Sequence, residues 1–212
     1  MVSSVAKLVV AVVPIHNGLP HVLECLGCLS KQDHPNLYVV VVDDGSSDGS
    51  AAAIRDHYPN VTVLNGDGNL WWGGAINKGT EWALARGADY VVWLNHDNVV
   101  EPTFASSLVR LAEGHPDTLI GSVVMDRAHP DTVAYCGAMV NWWRGGFVSC
   151  PAERAAVAEP DIIPVDVSGG MGVIVARAIV ERIGLVTPPP SPNTMETMTF
   201  GCARERGESR RA

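Results

Sequence analysis

Four short apolar runs, "LVVAVV", "LYVVVV", "VTVLN" and "YVVWL", constrain this chain more than any other feature, because each stops at a polar loop and is followed by a helix-like stretch. Runs this rich in Val, without polar alternation, suit strands buried on both faces. After the first run, Pro20 suits the opening turn of a helix that carries Val22, Cys25, Leu26 and Leu29 on one side and ends near Ser30. The second run leads into "DDGSSDGS", where Ser47 or Asp48 can cap "AAAIRDHY". The third passes through "GDGNLWWGGA" into a helix over 75–86, and the fourth precedes a helix beginning near Pro102. Such alternation predicts parallel strands, right-handed crossovers and helices on both faces of an α/β sheet. After Gly114 the pattern shifts to "TLIGSVVM", "TVAYCGAMV", "GGFVSC" and "IIPVDVSGGMGVIVA", with one short helix over 178–183. These pieces predict a mixed or antiparallel extension beside the parallel half.

In open sheets of this kind, ligands lie beyond the carboxyl ends of the strands. Four polar loops gather there: His16 and Asn17, Asp43 and Asp44, residues 65–69, and residues 95–98. Polar side chains at the end of a buried run are costly unless something satisfies them, and a bound ion or ligand would do so. Asp97 is the best single candidate for a metal ligand, since Mg²⁺ or Mn²⁺ takes oxygen ligands and shares them with substrate phosphates. Asn95 and His96 would shape that site, although a strand-end Asx turn also accounts for the cluster.

Of Asp43 and Asp44, one can brace the loop or cap a helix while the other accepts hydrogen bonds from a base or ribose. In "GNLWWGGAINKG", Gly73 and Gly74 permit close backbone approach at a helix N-terminus, which favours anions. Trp71 and Trp72 can stack on a base or sugar, or fill the core. Lys78 is the nearby cation, with a solvated helix face as its default. Gly169 and Gly170 leave room for either a packed neighbour or a ligand. Trp142, Trp143 and Arg144 fit an acceptor groove and an exposed hairpin tip equally well.

At 212 residues and 47% hydrophobic content the chain can bury one sizeable core. A formal net charge of −8 argues against a nucleic-acid surface, which needs clustered Lys and Arg. Five cysteines without a disulfide-like framework point to a reducing compartment. Cys25 and Cys28 form a CxxC, but their spacing fits packing on one helix face better than metal or redox use. "LVVAVVPI" is far short of a membrane span and follows no basic leader, so a cytoplasmic protein with at most peripheral contact at the inner membrane face is expected. The first strand leads into "PIHNGLP" rather than G-x-G-x-x-G, which disfavours a dinucleotide oxidoreductase. A receiver-like domain would explain Asp43-Asp44 but not "GNLWWGGA" or residues 95–98.

Taken in order, "VVPIHN", "CLSKQDHPNLYVVVVDDGSSDGS", "GNLWWGGAINKG", "GADYVVWLNHDNVVEP" and "VSGGMGVIVARAIVERIGLV" resemble glycosyltransferase family 2, the inverting GT-A class, in its rhamnosyltransferase-like branch. The resemblance covers about residues 9–186. It implies a GT-A fold, a Rossmann-like and mostly parallel sheet flanked by helices. One domain would span 1–186, with a nucleotide-sugar donor half over 1–101 and a partial acceptor half over 102–186. By matching position it implies that Pro14, His16, Asn17, Asp43, Asp44, Asn69, Trp71, Gly74, Asn77, Asn95 and His96 surround the nucleotide sugar. Within that set Asp44 matches the acid that contacts the base, and Pro14 and His16 lie against the nucleoside. The family's acidic triplet falls on Asn95-His96-Asp97. Asp97 matches the ligand of a divalent metal, Mn²⁺ or Mg²⁺, while Asn95 leaves one anionic ligand fewer. The implied partners are a dTDP- or UDP-sugar donor and a glycan or lipid-linked acceptor, as in cell-surface polysaccharide synthesis. The implied reaction is in-line displacement at the anomeric carbon, with a general base taking the acceptor proton.

The family places that base in an acidic motif soon after a "GLVD" element, and here the chain departs from the pattern. After Val186 it reads "TPPPSPNTMETMTFGCARERGESRRA". Met has one codon, so reading one nucleotide earlier forces Gly at the Met195/Glu196 junction and Asp at the Met198/Thr199 junction. "G-D-D-D-F-W-L-R-A-R" is among the permitted readings, and the Val186/Thr187 junction permits the Asp of "GLVD". A single-base frameshift near 186–191 is therefore expected, which leaves 187–212 as an aberrant, disordered tail and the catalytic base unassigned. Asp166 is the nearby acid to test as a substitute. The alternative is a non-catalytic nucleotide-sugar-binding protein.

Overall fold

A computed structural model describes residues 6–151 and 162–187. The tail expected to be aberrant lies outside the described residues from 188 onward. The four Val-rich runs form β1 (Val9–Ile15), β2 (Leu37–Asp43), β3 (Thr62–Asn65) and β4 (Tyr90–Trp93). All seven residues of β1 and all four of β4 are buried, as unalternated apolar runs require. Between them run α1 (Leu19–Leu29), α2 (Ser50–His57) and α3 (Trp71–Ala85), with α4 (Phe104–Gly114) after β4. The later part supplies β5 (Ile120–Gly121), β6 (Val124–Met125), β7 (Val133–Tyr135), β8 (Ala138–Asn141), β9 (Gly146–Ser149), β10 (Val173–Ala176) and α5 (Arg177–Ile183).

The main sheet has the order β3-β2-β1-β4-β10-β5. β2 and β4 flank β1 in parallel, whereas β10 pairs antiparallel with both β4 and β5. This is a mixed α/β fold with a mostly parallel centre. The predicted extension divides: β10 and β5 join the sheet, while β6-β7 and β8-β9 form two separate hairpins. Of the apolar stretch before α5, only the segment Val173–Ala176 is a sheet strand, because Val167 makes just an isolated bridge to Ala138.

The sheet carries two cores. α1, α2 and α4 cover one face through Leu26, Ile54 and Leu108, against Ala11, Val13 and Val92. α3 and α5 cover the other through Ile76 and Ile179, against Val12, Val91 and Val175. Gly79 lets α3 come this close, since a Cβ there would overlap Val12. From β1 the chain winds outward to β2 and β3 on one side, then returns on the opposite face to β4. The carboxyl ends of β1 and β4 are therefore the switch point of the sheet, where a crevice must open.

Candidate functional site

A cleft of about 390 Å³ opens at that switch point. Pro14, Ile15 and His16 line it from the end of β1, and Asn95, His96 and Asp97 from the end of β4. Asp44 and Gly68 enter from the loops after β2 and β3, and Trp71, Trp72 and Ala75 from the first turns of α3. Of the residues singled out in the sequence, Pro14, His16, Asp44, Trp71, Trp72, Asn95, His96 and Asp97 meet here.

Two of the four loops are tied together by a short network. His16 Nδ1 donates to the Asp44 carbonyl at 2.7 Å. A carbonyl only accepts, so Nδ1 carries the proton and Nε2 can accept from Asn17 Nδ2 at 3.1 Å. Asn17 stands at φ +54°, and its Oδ1 accepts from the Ser47 N–H at 2.7 Å. Asp43 accepts from the Ser46 N–H at 2.9 Å, and Asp48 accepts from Ser50 and from the Leu19 N–H, which fastens the starts of α1 and α2 together. The Ser50 hydroxyl on Asp48 Oδ1 is the main reason its carboxyl titrates below the ordinary value. Asn17 and Asp43 thus brace the loops and are not among the cleft-lining residues.

Asp44 has 6% exposure, and its carboxylate is occupied from within the chain. Oδ1 accepts from the Gly68 N–H at 2.8 Å and Oδ2 from the Trp71 N–H at 2.9 Å. This bond explains why α3 starts four residues before the expected position: its cap is a carboxylate on another loop, which local sequence cannot display. Asn69 turns toward Asp67, with its N–H on Oδ1 at 2.9 Å. Gly74 packs near Leu70, where a Cβ would sit 3.2 Å from the Leu70 Cβ. Asn77 hydrogen-bonds both backbone groups of Val186, at 2.7 and 2.9 Å. Lys78 donates to the Asn65 carbonyl at 2.6 Å.

The segment after β4 is a turn, closed by the Asn98 N–H on the Asn95 carbonyl at 3.2 Å. Asn95 Oδ1 accepts from Trp72 Nε1 at 2.8 Å, so one indole fixes the first residue of the triplet. Below it, the Cys25 thiol points at the Asn95 carbonyl, with Sγ 3.8 Å away. Gly18 accommodates the His96 ring, which a Cβ at that position would strike. Asp97 is exposed at the mouth of the cleft. Asn98 Oδ1 is buried without a hydrogen-bond partner among the described residues. Ile15 and Ala75 also line the cleft without having been singled out in the sequence, because the polar ends of the runs are the visible signal and these two are apolar; Gly68 belongs to the 65–69 loop expected there.

Other candidates fall elsewhere. Asp166 Oδ2 accepts from the Val140 N–H at 2.9 Å, beside β8, and does not line the cleft. Trp142 and Trp143 form the tip of the β8-β9 hairpin, 85% and 99% exposed. Gly169 faces packed neighbours, with Met171 and the Tyr135 ring within 3.4 Å of an added Cβ.

Among the described residues no group of three or more His, Cys, Asp or Glu side chains could hold a metal ion. Mg²⁺ needs no such cage, since one or two carboxylates with ligand phosphates and water suffice. An exposed Asp97 beside a pocket with room for a diphosphate fits that requirement. No helix among the described residues is long and apolar enough to cross a membrane.

The family model described as Glycosyl transferase family 2 matches residues 10–165. The chain is 27% identical over 191 residues to the N-acetylglucosaminyl-diphospho-decaprenol L-rhamnosyltransferase of Mycobacterium tuberculosis, covering 78% of this chain and 60% of that protein. It is 29% identical over 123 residues to glycosyltransferase GlyG of Streptococcus pneumoniae, covering 55% of this chain and 39% of that protein. The chain thus spans less than two thirds of the length of either relative. Among solved structures, mannosyltransferase PcManGT from Pyrobaculum calidifontis, in complex with GDP-Man and Mn²⁺, is similar with a TM-score of 0.65 at 20% identity, over 87% of this chain and 48% of that one. At that identity the likeness establishes the fold, which is that of the GT-A glycosyltransferases.

Proposed function

The chain belongs to glycosyl transferase family 2, and from that premise we propose that it binds a nucleoside-diphosphate sugar in the cleft and transfers the sugar to an acceptor hydroxyl with inversion. The observation that carries this reading is the convergence of His16, Asp44, Trp71 and the Asn95-His96-Asp97 turn on one crevice at the sheet's switch point. The apolar wall suits a nucleoside, and the exposed carboxylate suits a metal-bridged diphosphate. Asp97 would hold Mn²⁺ or Mg²⁺, whose charge stabilises the departing nucleoside diphosphate. His96 lies beside Asp97 at the mouth, and Trp72 keeps Asn95 from rotating away. Pro14 and His16 form the floor against which the nucleoside would lie.

The donor is proposed as a dTDP- or UDP-sugar and the acceptor as a glycan or lipid-linked sugar. The mycobacterial relative, named for an L-rhamnosyl group and a decaprenol-diphosphate acceptor, supports the second choice. Peripheral contact with a membrane would accompany such an acceptor.

Calorimetric titration with UDP, dTDP and GDP, with and without Mn²⁺, tests the reading. Wild-type protein should bind at least one of them in a Mn²⁺-dependent manner. Asp97→Ala should keep its thermal unfolding and lose at least the ~10-fold in affinity that removal of even an outer-shell metal partner costs. Failure of all three to bind would overturn the reading, and unchanged Mn²⁺-dependent binding by Asp97→Ala would remove Asp97 from the metal site.

A second reading, a nucleotide-sugar-binding protein without turnover, is favoured by one observation. Among the described residues, the acids that line the cleft are Asp44, engaged by two backbone N–H groups, and Asp97, proposed for the metal. Neither is free to act as the acceptor's base. Transfer assays on the protein that binds donor separate the two readings.

A further inference from the structure

We propose that the β8-β9 hairpin is a lipid-docking tip, whose Trp142 and Trp143 enter the interfacial layer of a membrane while Arg144 meets anionic headgroups; its purpose, though not its geometry, rests on the lipid-linked acceptor proposed above. The three residues are consecutive at the turn, and all are exposed. An indole has an apolar body and one N–H donor, which suits the boundary between acyl chains and headgroups. The arginine supplies charge complementary to lipid phosphates. Residues 132–151 contain no Asp or Glu, and Arg144 is their one Lys or Arg, in a chain of formal net charge −8. Asp166, which bonds the hairpin, does so at the Val140 N–H in β8 rather than at the turn. The hairpin's own sequence thus sets attraction, not repulsion, before an anionic surface.

Two features fit this tip for a medium less polar than water. Its backbone is satisfied from within, since Asn141 Oδ1 accepts from the Trp143 N–H at 3.2 Å and the Arg144 N–H at 3.1 Å. The Asn141 carbonyl accepts from the Gly145 N–H at 2.9 Å, and Gly145 at φ +62° closes the turn. Polar groups already paired cost less to take out of water. The second feature is that both faces behind the tip are apolar. Val140 pairs with Phe147 and Met139 with Val148, and successive cross-strand pairs lie on opposite faces of a hairpin. Phe147 and Val148 are each more than half exposed. A protein partner laid on one face would leave the other in water. A lipid layer surrounds an inserted tip and covers both.

Sedimentation of the full chain with vesicles of phosphatidylcholine, alone or mixed with phosphatidylglycerol, tests the assignment. Wild-type protein should bind the mixed vesicles reversibly and the neutral ones less. The Trp142→Ala/Trp143→Ala double variant should partition more weakly by on the order of 10-fold for each indole removed, the usual worth of one large apolar side chain. Arg144→Gln should lose about 5-fold on the mixed vesicles and nothing on the neutral ones, and high salt should bring wild type down to it. Vesicles should shield indole fluorescence from acrylamide in wild type and not in the double variant. Both variants should keep the wild-type melting temperature and Mn²⁺-dependent nucleotide affinity, because the tip does not line the cleft.

Wild-type protein that stays in solution beside mixed vesicles, or a double variant that sediments as well as wild type, would overturn the lipid tip. Equal binding by Arg144→Gln would remove the headgroup contact. If ultracentrifugation shows wild type pairing with a second copy, the double variant monomeric and neither held by vesicles, the hairpin is an interface between copies instead. Vesicle binding by a protein that binds no nucleotide would sink the donor reading alone and leave the tip standing.

Discussion

Cys25 is fully buried in α1, with its thiol aimed at the carbonyl of Asn95 under the cleft. Burial first, and then the neighbouring Cys28, Asp97 and Glu24, push its pKa from an ordinary 9.0 up to about 12. The unfolded chain therefore releases this proton near pH 9 while the folded chain keeps it to about pH 12. Between those values the folded state binds more protons, so its stability falls as pH rises; below pH 9 the contribution is complete. Urea unfolding should show wild-type protein losing on the order of 2 kcal/mol more than Cys25→Ala between pH 8 and pH 11. Tyr90 and Tyr135, also raised chiefly by burial, give a residual slope of the same sign in the variant. Equal slopes would mean that the thiol is solvated and the Asn95 turn unsupported from below. The same residue shows what a sequence displays at this scale. Its burial follows from helical spacing with Val22, Leu26 and Leu29, whereas its partner 70 positions away does not. Likewise, His16, Asp44 and Asp97 could be placed from the strand ends that carry them. That Asn17 would answer Ser47 rather than face the cleft depends on a contact between two loops, which no local pattern encodes.

At the scale of elements, the central strands were legible because burial on both faces leaves a continuous apolar run, and their order around β1 follows from crossover handedness. The ends of elements were less so. α3 begins at Trp71 on an N–H held by Asp44, and "IIPVDVSGGMGVIVA" gives only the four residues of β10 because its sheet partners lie in β4 and β5. The same helix shows a second long-range tie. Asn77 grips the N–H and the carbonyl of Val186 with one side chain, fastening the segment after α5 onto α3. Asn77→Ala should therefore lower unfolding stability by about 1–2 kcal/mol, the usual worth of two part-buried hydrogen bonds. Nucleotide affinity of the folded protein should change less than about twofold, since Asn77 stands outside the cleft lining. A loss of affinity with unchanged stability would put Asn77 on the ligand instead.

For the molecule as a whole, the Asn77–Val186 clasp has a consequence for catalysis. Ala75 lines the cleft, and Asn77, two residues on, fastens Val186 to the same helix, whose first turns form one wall of the proposed donor site. In the proposed reaction, a base for the acceptor hydroxyl would have to reach that cleft. The overall topology could be read from alternating strands and helices, but the identity of this base could not, because the pattern breaks at the point where it is needed. We propose that the break is a frameshift, and the chain with the frame restored, reading "GLVD" and then "G-D-D-D-F-W-L-R-A-R", tests it. Both proteins should bind nucleoside diphosphate with Mn²⁺ to a similar degree, because the cleft is built before residue 100. Turnover, measured as donor hydrolysis or transfer to a sugar acceptor, should be about 10²- to 10⁴-fold faster in the restored chain, the usual worth of a general base. If the two turn over equally, an acid already present performs the task, and Asp166→Asn in the unrestored chain identifies or dismisses the one beside β8. If resequencing of the gene yields an uninterrupted frame for this tail and no coding capacity for the acidic motif, the chain is a donor-binding protein in its own right.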